Sequence, residues 1–333
     1  MFAYLSKKVG IPNNTRVECI AWSSEQGWIA CGGEKGLLKI LKLEDPKQLN
    51  ALNNSSQVQP NLSTQTTQNS QGQLNTGGAG AGAGVPGAGG LPVNQTLEGH
   101  SGTVKCVIWN DAYRKLTTSD ENGLIIVWML HKSFWFEEMI NNRNKSIVMD
   151  MKWSPDGTRI CIIYEDGNVI LGSVEGSRLW GKELKHKLSL IEWSPDGKLM
   201  LFGTPEGEVR VYDNTGNPIH QLKIYCLQKL VDPQKLFTPN MKIVALQWYE
   251  GSKMYTEDTP PGLVFAYECG RIQLMKNDKD DDPTLIDTNL NVITSVRWNS
   301  IGTIFAVSGI KKIIILSVIS SKNIYEICFS QDL

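Results

Sequence analysis

Seven residues, Gly176-Ser177-Arg178-Leu179-Trp180-Gly181-Lys182, have the spacing of a phosphate-binding loop, whose backbone amides and lysine would cradle a nucleotide. The chemistry fails at the flanks. Glu183 stands where a Ser or Thr would bind magnesium, and its carboxylate would repel phosphate. Leu179 and Trp180 are bulky where the backbone must wrap an anion, and no helical pattern follows, so the stretch reads as an outer strand. Asp278-Lys279-Asp280-Asp281-Asp282 opens like a calcium loop, but the sixth position is not glycine and the twelfth, Asn289, is not glutamate. It reads as a solvated loop. The seven cysteines at 19, 31, 106, 161, 226, 269 and 328 contain no Cys-X-X-Cys pair, so zinc is not expected, and they read as small buried apolar residues of a reducing, intracellular compartment. The four histidines form no recognisable nucleophile–base pair. Catalytic residues, metals and cofactors are therefore not expected, nor is an enzyme.

The elements that carry these residues recur. Trp22 precedes Gly36, Trp109 precedes Gly123, Trp153 precedes Gly167 and Trp193 precedes Gly207, each by 14 residues (36−22 and so on). Trp248 and Gly270 form a looser fifth copy, and Trp298 a sixth without its glycine. A unit of about 40–50 residues marks a repeat architecture. Each tryptophan ends a strand, and the turn after it is twice Ser-Pro-Asp-Gly, at 154–157 and 194–197. Apolar runs then flank each glycine, as in Ile160–Tyr164 and Val169–Leu171 around Gly167. Such runs split by a short turn are hairpins, with Gly36, Gly123, Gly167 and Gly207 taking the positive φ. Fourth strands are expected at Ile219–Ile224, Pro283–Leu290 and Asn323–Phe329. Sheets apolar on both faces must stack face to face, which predicts an all-β propeller of six recognisable four-stranded blades. The propeller is expected to occupy 1–333, with an Asn/Gln/Ser/Gly-rich disordered insertion at 46–93 inside blade one. An N-terminal strand, Phe2–Lys7, is expected to close a last blade. The inner strands of a seventh are expected beyond residue 333.

Thirty-three basic against 34 acidic residues leave a net charge of −1, with no field to attract nucleic acid. No apolar run approaches the length of a spanning helix, so no transmembrane segment is expected.

His100 follows Gly99, and Trp128 closes the third strand of unit two. In WD-repeat proteins, which this unit resembles, such a His joins a Ser/Thr, a hairpin acid and that Trp in a buried structural network. His100, Thr118 and Trp128 match, and the hairpin position holds Asn122. More specific strings, FAYLSKKVGIPNNTRVECIAW from Phe2, LTTSDENGLIIVWM from Leu116 and EEMINNRNKS from Glu137, resemble the intraflagellar transport protein 121 family, with tubby-like proteins as related propellers. The resemblance covers about 1–44 and 94–310. It implies a WD-repeat propeller in a subunit of intraflagellar transport complex A, serving retrograde transport, ciliary membrane-protein entry and cilium assembly. It further implies other subunits of that complex and ciliary cargo as partners, peripheral membrane association through the complex, and residence at the cilium, basal body and cytoplasm. Family members continue into a second propeller and a helical tail. The alternative is a generic WD-repeat adaptor, such as a ubiquitin-ligase substrate receptor or vesicle-coat subunit. Candidate contact loops are Glu137–Ser146, Thr256–Gly262 and Asn277–Asp282.

Overall fold

The computed structural model describes residues 11, 14–23, 25–42, 94–132, 134–142, 146–228, 241–249, 262–299, 302–319 and 324–332. The insertion at 46–93, the strand expected at 2–7 and the loop at 256–261 lie outside the described residues. The remainder forms six four-stranded antiparallel sheets, each with its strands in chain order. Blade 1 is β1 (Val17–Ser23), β2 (Trp28–Gly33), β3 (Leu38–Lys42) and β4 (Asn94–Thr96). Blade 2 is β5 (Val104–Asn110), β6 (Lys115–Asp120), β7 (Ile125–His131) and β8 (Phe134–Asn141). Blade 3 is β9 (Val148–Trp153), β10 (Arg159–Tyr164), β11 (Asn168–Ser173) and β12 (Arg178–Glu183). Blade 4 is β13 (Leu190–Trp193), β14 (Leu199–Gly203), β15 (Val209–Asp213) and β16 (Pro218–Gln221). Blade 5 is β17 (Ile243–Trp248), β18 (Leu263–Tyr267), β19 (Arg271–Met275) and β20 (Thr284–Asp287). Blade 6 is β21 (Ile293–Trp298), β22 (Ile304–Gly309), β23 (Lys312–Ile319) and β24 (Ile324–Asp332).

The outer strands of blades 4 and 5 stop earlier than the apolar runs suggest, and in each case the chain turns into the core. Leu222 leaves β16 to join the buried cluster between blades 4 and 5. The Thr288 hydroxyl donates to the Gly270 carbonyl oxygen at 2.8 Å just beyond β20.

Five apolar clusters each join consecutive blades, from Leu38, Ile40 and Leu116 between blades 1 and 2 to Ala266, Val296 and Phe305 between blades 5 and 6. Apolar area on both faces of a blade is removed from water only by stacking, and this burial is the main stabilising term. The repeated tryptophans tie the stack. Trp109 Nε1 donates to Ala21 O at 3.1 Å and Trp193 Nε1 to Lys152 O at 3.1 Å, so β5 and β13 reach back to the blades before them. Trp22 heads the series. Its strand packs toward blade 2 through Cys19 and Ala21, leaving Ile20 and Trp22 at 64% and 63% exposed.

The hairpin glycines carry a second constraint beyond positive φ. Gly123 has φ +78°, and a Cβ there would lie 2.3 Å from the Ser146 carbonyl oxygen. Gly207 has φ +87°, with a Cβ 2.3 Å from Met241 O. Ser146 and Met241 belong to the chain entering the next blade. Glycine is thus needed both for the turn and for the close approach of that chain.

Candidate functional site: a polar network inside an apolar propeller

His100 lies in the connection from β4 to β5, its side chain almost fully buried. Its Nδ1 sits 3.1 Å from Asp120 Oδ2 and its Nε2 2.7 Å from Thr118 Oγ1. Trp128 Nε1 donates to the same Thr118 oxygen at 2.8 Å. With His100 neutral, as its burial favours, the protons fall in one chain. The indole N–H donates to Thr118, the Thr118 hydroxyl donates to Nε2, and Nδ1–H donates to the Asp120 carboxylate. This requires a neutral imidazole, and burial lowers the His100 pKa against the opposing pull of Asp120.

Asp120, not Asn122, supplies the acid. Asn122 sits at the exposed tip of the β6–β7 hairpin and offers its backbone amide to Asp120 Oδ1 at 2.9 Å. Leu124 N donates to the same oxygen at 3.1 Å. The carboxylate at the end of β6 therefore serves the hairpin with one oxygen and His100 with the other. The exposed Asn122 side chain, one residue before the turn glycine, lies beside Gly102 and not against His100. The acid stands two residues after Thr118 in the string Thr118-Ser119-Asp120, at the end of β6 and not in the turn.

The network belongs to blade 2. Five residues before and five after the turn glycine, where blade 2 has Thr118 and Trp128, blade 4 has Phe202 and Tyr212, packed edge-on at 5.3 Å between centroids. Blade 5 has Phe265 and Met275, both in one apolar cluster. Blades 4 and 5 fill with aromatic and aliphatic side chains the space that blade 2 fills with a fully satisfied polar chain.

The remaining chemistry-like residues serve the fold. Gly176 turns the β11–β12 hairpin, and Arg178–Glu183 is β12. Lys182 Nζ donates to Gly216 O at 2.8 Å, tying blade 3 to blade 4. In the acidic loop, Asp280 accepts the backbone amides of Lys276 and Asp282, Asp281 pairs with Lys223 at 3.0 Å and Asp278 lies 3.5 Å from His220 Nε2. These carboxylates bind blade 5 to blade 4. No group of three or more His, Cys, Asp or Glu among the described residues is arranged to hold a metal ion. Burial pushes the Cys19 and Cys226 thiols up to about 12, so they stay protonated and are poor nucleophiles. No helix among the described residues is long and apolar enough to cross a membrane.

One charged cluster had no signal in the sequence. On the inner strands β9 and β13, Lys152 forms an ion pair with the buried Glu192 carboxylate. Beside it, Asp150 accepts the amides of Met151 at 2.9 Å and Ile191 at 3.0 Å. Burial raises the Asp150 pKa to about 6 from 3.8, only partly opposed by those amides and by Lys152. The sign follows directly. Above pH 6 the folded chain holds a poorly solvated carboxylate. Between pH 6 and 4 it takes up a proton that the unfolded chain does not, so this group's penalty fades as pH falls. Asp150 keeps some contact with solvent, which limits the effect. Asp150→Asn is expected to cost about 1–3 kcal/mol at pH 4, where its Nδ2 leaves one of the two amides unbonded, and about 1–2 kcal/mol less than that at pH 7.5, where the buried charge is also removed. Urea melts of both chains across that range check it, and an equal stability difference at both pH values would refute it.

A family profile described as the WDR35/TULP4 N-terminal β-propeller matches residues 1–329. Human WD repeat-containing protein 35 is 47% identical over 313 residues, which is 94% of this chain and 23% of that protein. Mouse Tubby-related protein 4 is 33% identical over 237 residues, 66% of this chain and 15% of that protein. Among solved structures, the C-terminal WD40 domain of Sif2 superposes with a TM-score of 0.57 at 15% identity, covering 93% of this chain and 69% of that one. The chain thus spans about a quarter of the length of WD repeat-containing protein 35.

Proposed function

The chain belongs to the family of WDR35/TULP4 N-terminal β-propellers, and from that membership we propose that it is a non-enzymatic interaction scaffold within an intraflagellar transport complex A subunit. The observation that carries the reading is 47% identity to human WD repeat-containing protein 35 along nearly the whole chain, together with the resemblance of its strings to the intraflagellar transport protein 121 family. Its partners on this reading are other subunits of that complex and ciliary cargo. It works at the cilium, basal body and cytoplasm, in retrograde transport, membrane-protein entry and cilium assembly. Of the candidate contact segments, Glu137–Asn141 belongs to β8 and Asn277–Asp282 connects β19 to β20; rigid blades hold such elements, and partners bind across many small contacts. His100, Thr118, Asp120 and Trp128 lock blade 2 rather than perform chemistry, because no substrate reaches a ring buried this deeply.

The test is affinity purification of the endogenously tagged protein from a ciliated cell that carries it, paired with its depletion. Recovery of other complex A subunits, with short cilia depleted of membrane receptors, is expected. Recovery of ubiquitin-ligase or vesicle-coat subunits with normal cilia would replace this reading with that of a generic adaptor.

A further inference from the structure

Blade 3 breaks the packing rule of its neighbours. Five residues past the turn glycine, blades 1, 2, 4 and 5 carry Leu41, Trp128, Tyr212 and Met275, and blade 3 carries Gly172. Those side chains are buried, and Trp128, Tyr212 and Met275 pack toward the preceding blade. Gly172 leaves a cavity of about 360 Å³ between blades 2 and 3. Its floor includes Ile125 and Val127 of blade 2 and Trp153, Ile160 and Ile162 of blade 3. A void of this size lined by hydrocarbon forfeits dispersion contacts that the other blades make internally. It lies in the range of small-ligand pockets.

The lip differs from the floor. It carries Ser173, Glu175, Ser177 and Arg178. Glu175 is engaged by the Ser173 hydroxyl. Arg178 is exposed and makes no ion pair among the described residues. The flanking strands β8 and β12 are the outermost of their blades, each paired on one side only. An unpaired strand edge beside an apolar hole is suited to an extended chain, whose backbone pairs with the edge while one side chain enters the hole.

We propose that this inter-blade cavity is a peptide-binding site that takes one large apolar side chain of an extended partner segment, with a following carboxylate meeting Arg178. The proposal rests on the reading of the propeller as an interaction module, and not on which assembly it serves.

Gly172 makes the test clean. Its φ is ordinary, and a Cβ there meets only Ile160 Cγ2 at 3.4 Å and Ser177 O at 3.6 Å. A side chain can therefore fill the hole from within. Fluorescein-labelled, end-capped octapeptides of serine and threonine, each with a central tryptophan, phenylalanine or leucine followed by glutamate, are titrated with the 333-residue chain. Saturable anisotropy is expected, strongest for one of the aromatic peptides. Gly172→Met is expected to weaken it at least tenfold while the melting temperature holds or rises. Arg178→Glu is expected to weaken the glutamate peptide tenfold and to favour its lysine counterpart. No saturation with any of the three peptides, or equal affinity for Gly172→Met, overturns the proposal. Saturable binding of decanoate without any peptide binding also overturns it, assigning the cavity to a small amphiphile. Failure here leaves the ciliary reading standing, and a failed complex A purification would leave peptide binding unaffected.

Discussion

Asp120→Ala is expected to destabilise the propeller by about 3–5 kcal/mol, because it removes the acceptor of three donors whose loss costs about 1–3 kcal/mol each. The carboxylate is buried and committed on both oxygens. Its loss orphans the His100 Nδ1–H inside the seam between blades 1 and 2 and strips two amides from the β6–β7 hairpin. Thr118→Val is the milder relative, leaving the Trp128 N–H and His100 Nε2 unsatisfied at about 1–3 kcal/mol. Asn122→Ala, at the exposed tip, is expected to change stability by no more than about 0.5 kcal/mol, because only its backbone amide is used. Urea denaturation followed by circular dichroism ranks the three. If Asn122→Ala costs more than Asp120→Ala, the assignment of the acid is wrong.

The second large effect sets one repeat position against itself. Trp193→Ala is expected to cost about 3–5 kcal/mol, since its side chain is fully buried against blade 3 and its N–H is bonded to Lys152 O. Trp22→Ala, at the same position of the first unit, is expected to cost less than about 1 kcal/mol in the 333-residue chain, because 63% of that residue is exposed. The fold change in the urea midpoint separates the two readily. Comparable losses for both would mean that Trp22 is covered in solution. The contrast also bears on function, because Trp22 and Ile20 give β1 two large exposed apolar side chains among the described residues.

Much of this architecture was legible because its causes are local. The tryptophan-to-glycine interval of fourteen residues measures one strand, turn, strand and hairpin, and each part is set by neighbours within that window. Apolar runs form strands, Ser-Pro-Asp-Gly bends between them, and glycine takes positive φ. The hairpin at 309–312 closes without a turn glycine, through Ile310 and Lys311, and strand pairing carries it. The candidate site was legible in part. His100, Thr118 and Trp128 could be placed through the resemblance to WD-repeat units, whereas the hairpin position pointed to Asn122 and the structure to Asp120. Spacing counts residues from the turn and does not say which side chain points into the seam.

By itself, then, the sequence determined the repeat, the all-β class, the residues that turn each hairpin and the resemblance that places the chain in its family. Tertiary structure alone decided the rest. It buried Trp193 and left Trp22 in solvent, and it chose Asp120 over Asn122. It set Ser146 and Met241 against glycines whose need for a missing Cβ could not be seen from the turn. It also made an inter-blade cavity out of Gly172, a residue that looks unremarkable in its own strand. The physical reason is the same in each case. Propensity and turn chemistry act between residues a few positions apart, whereas burial, desolvation and close approach depend on which face of which blade arrives from 36 to 88 residues away.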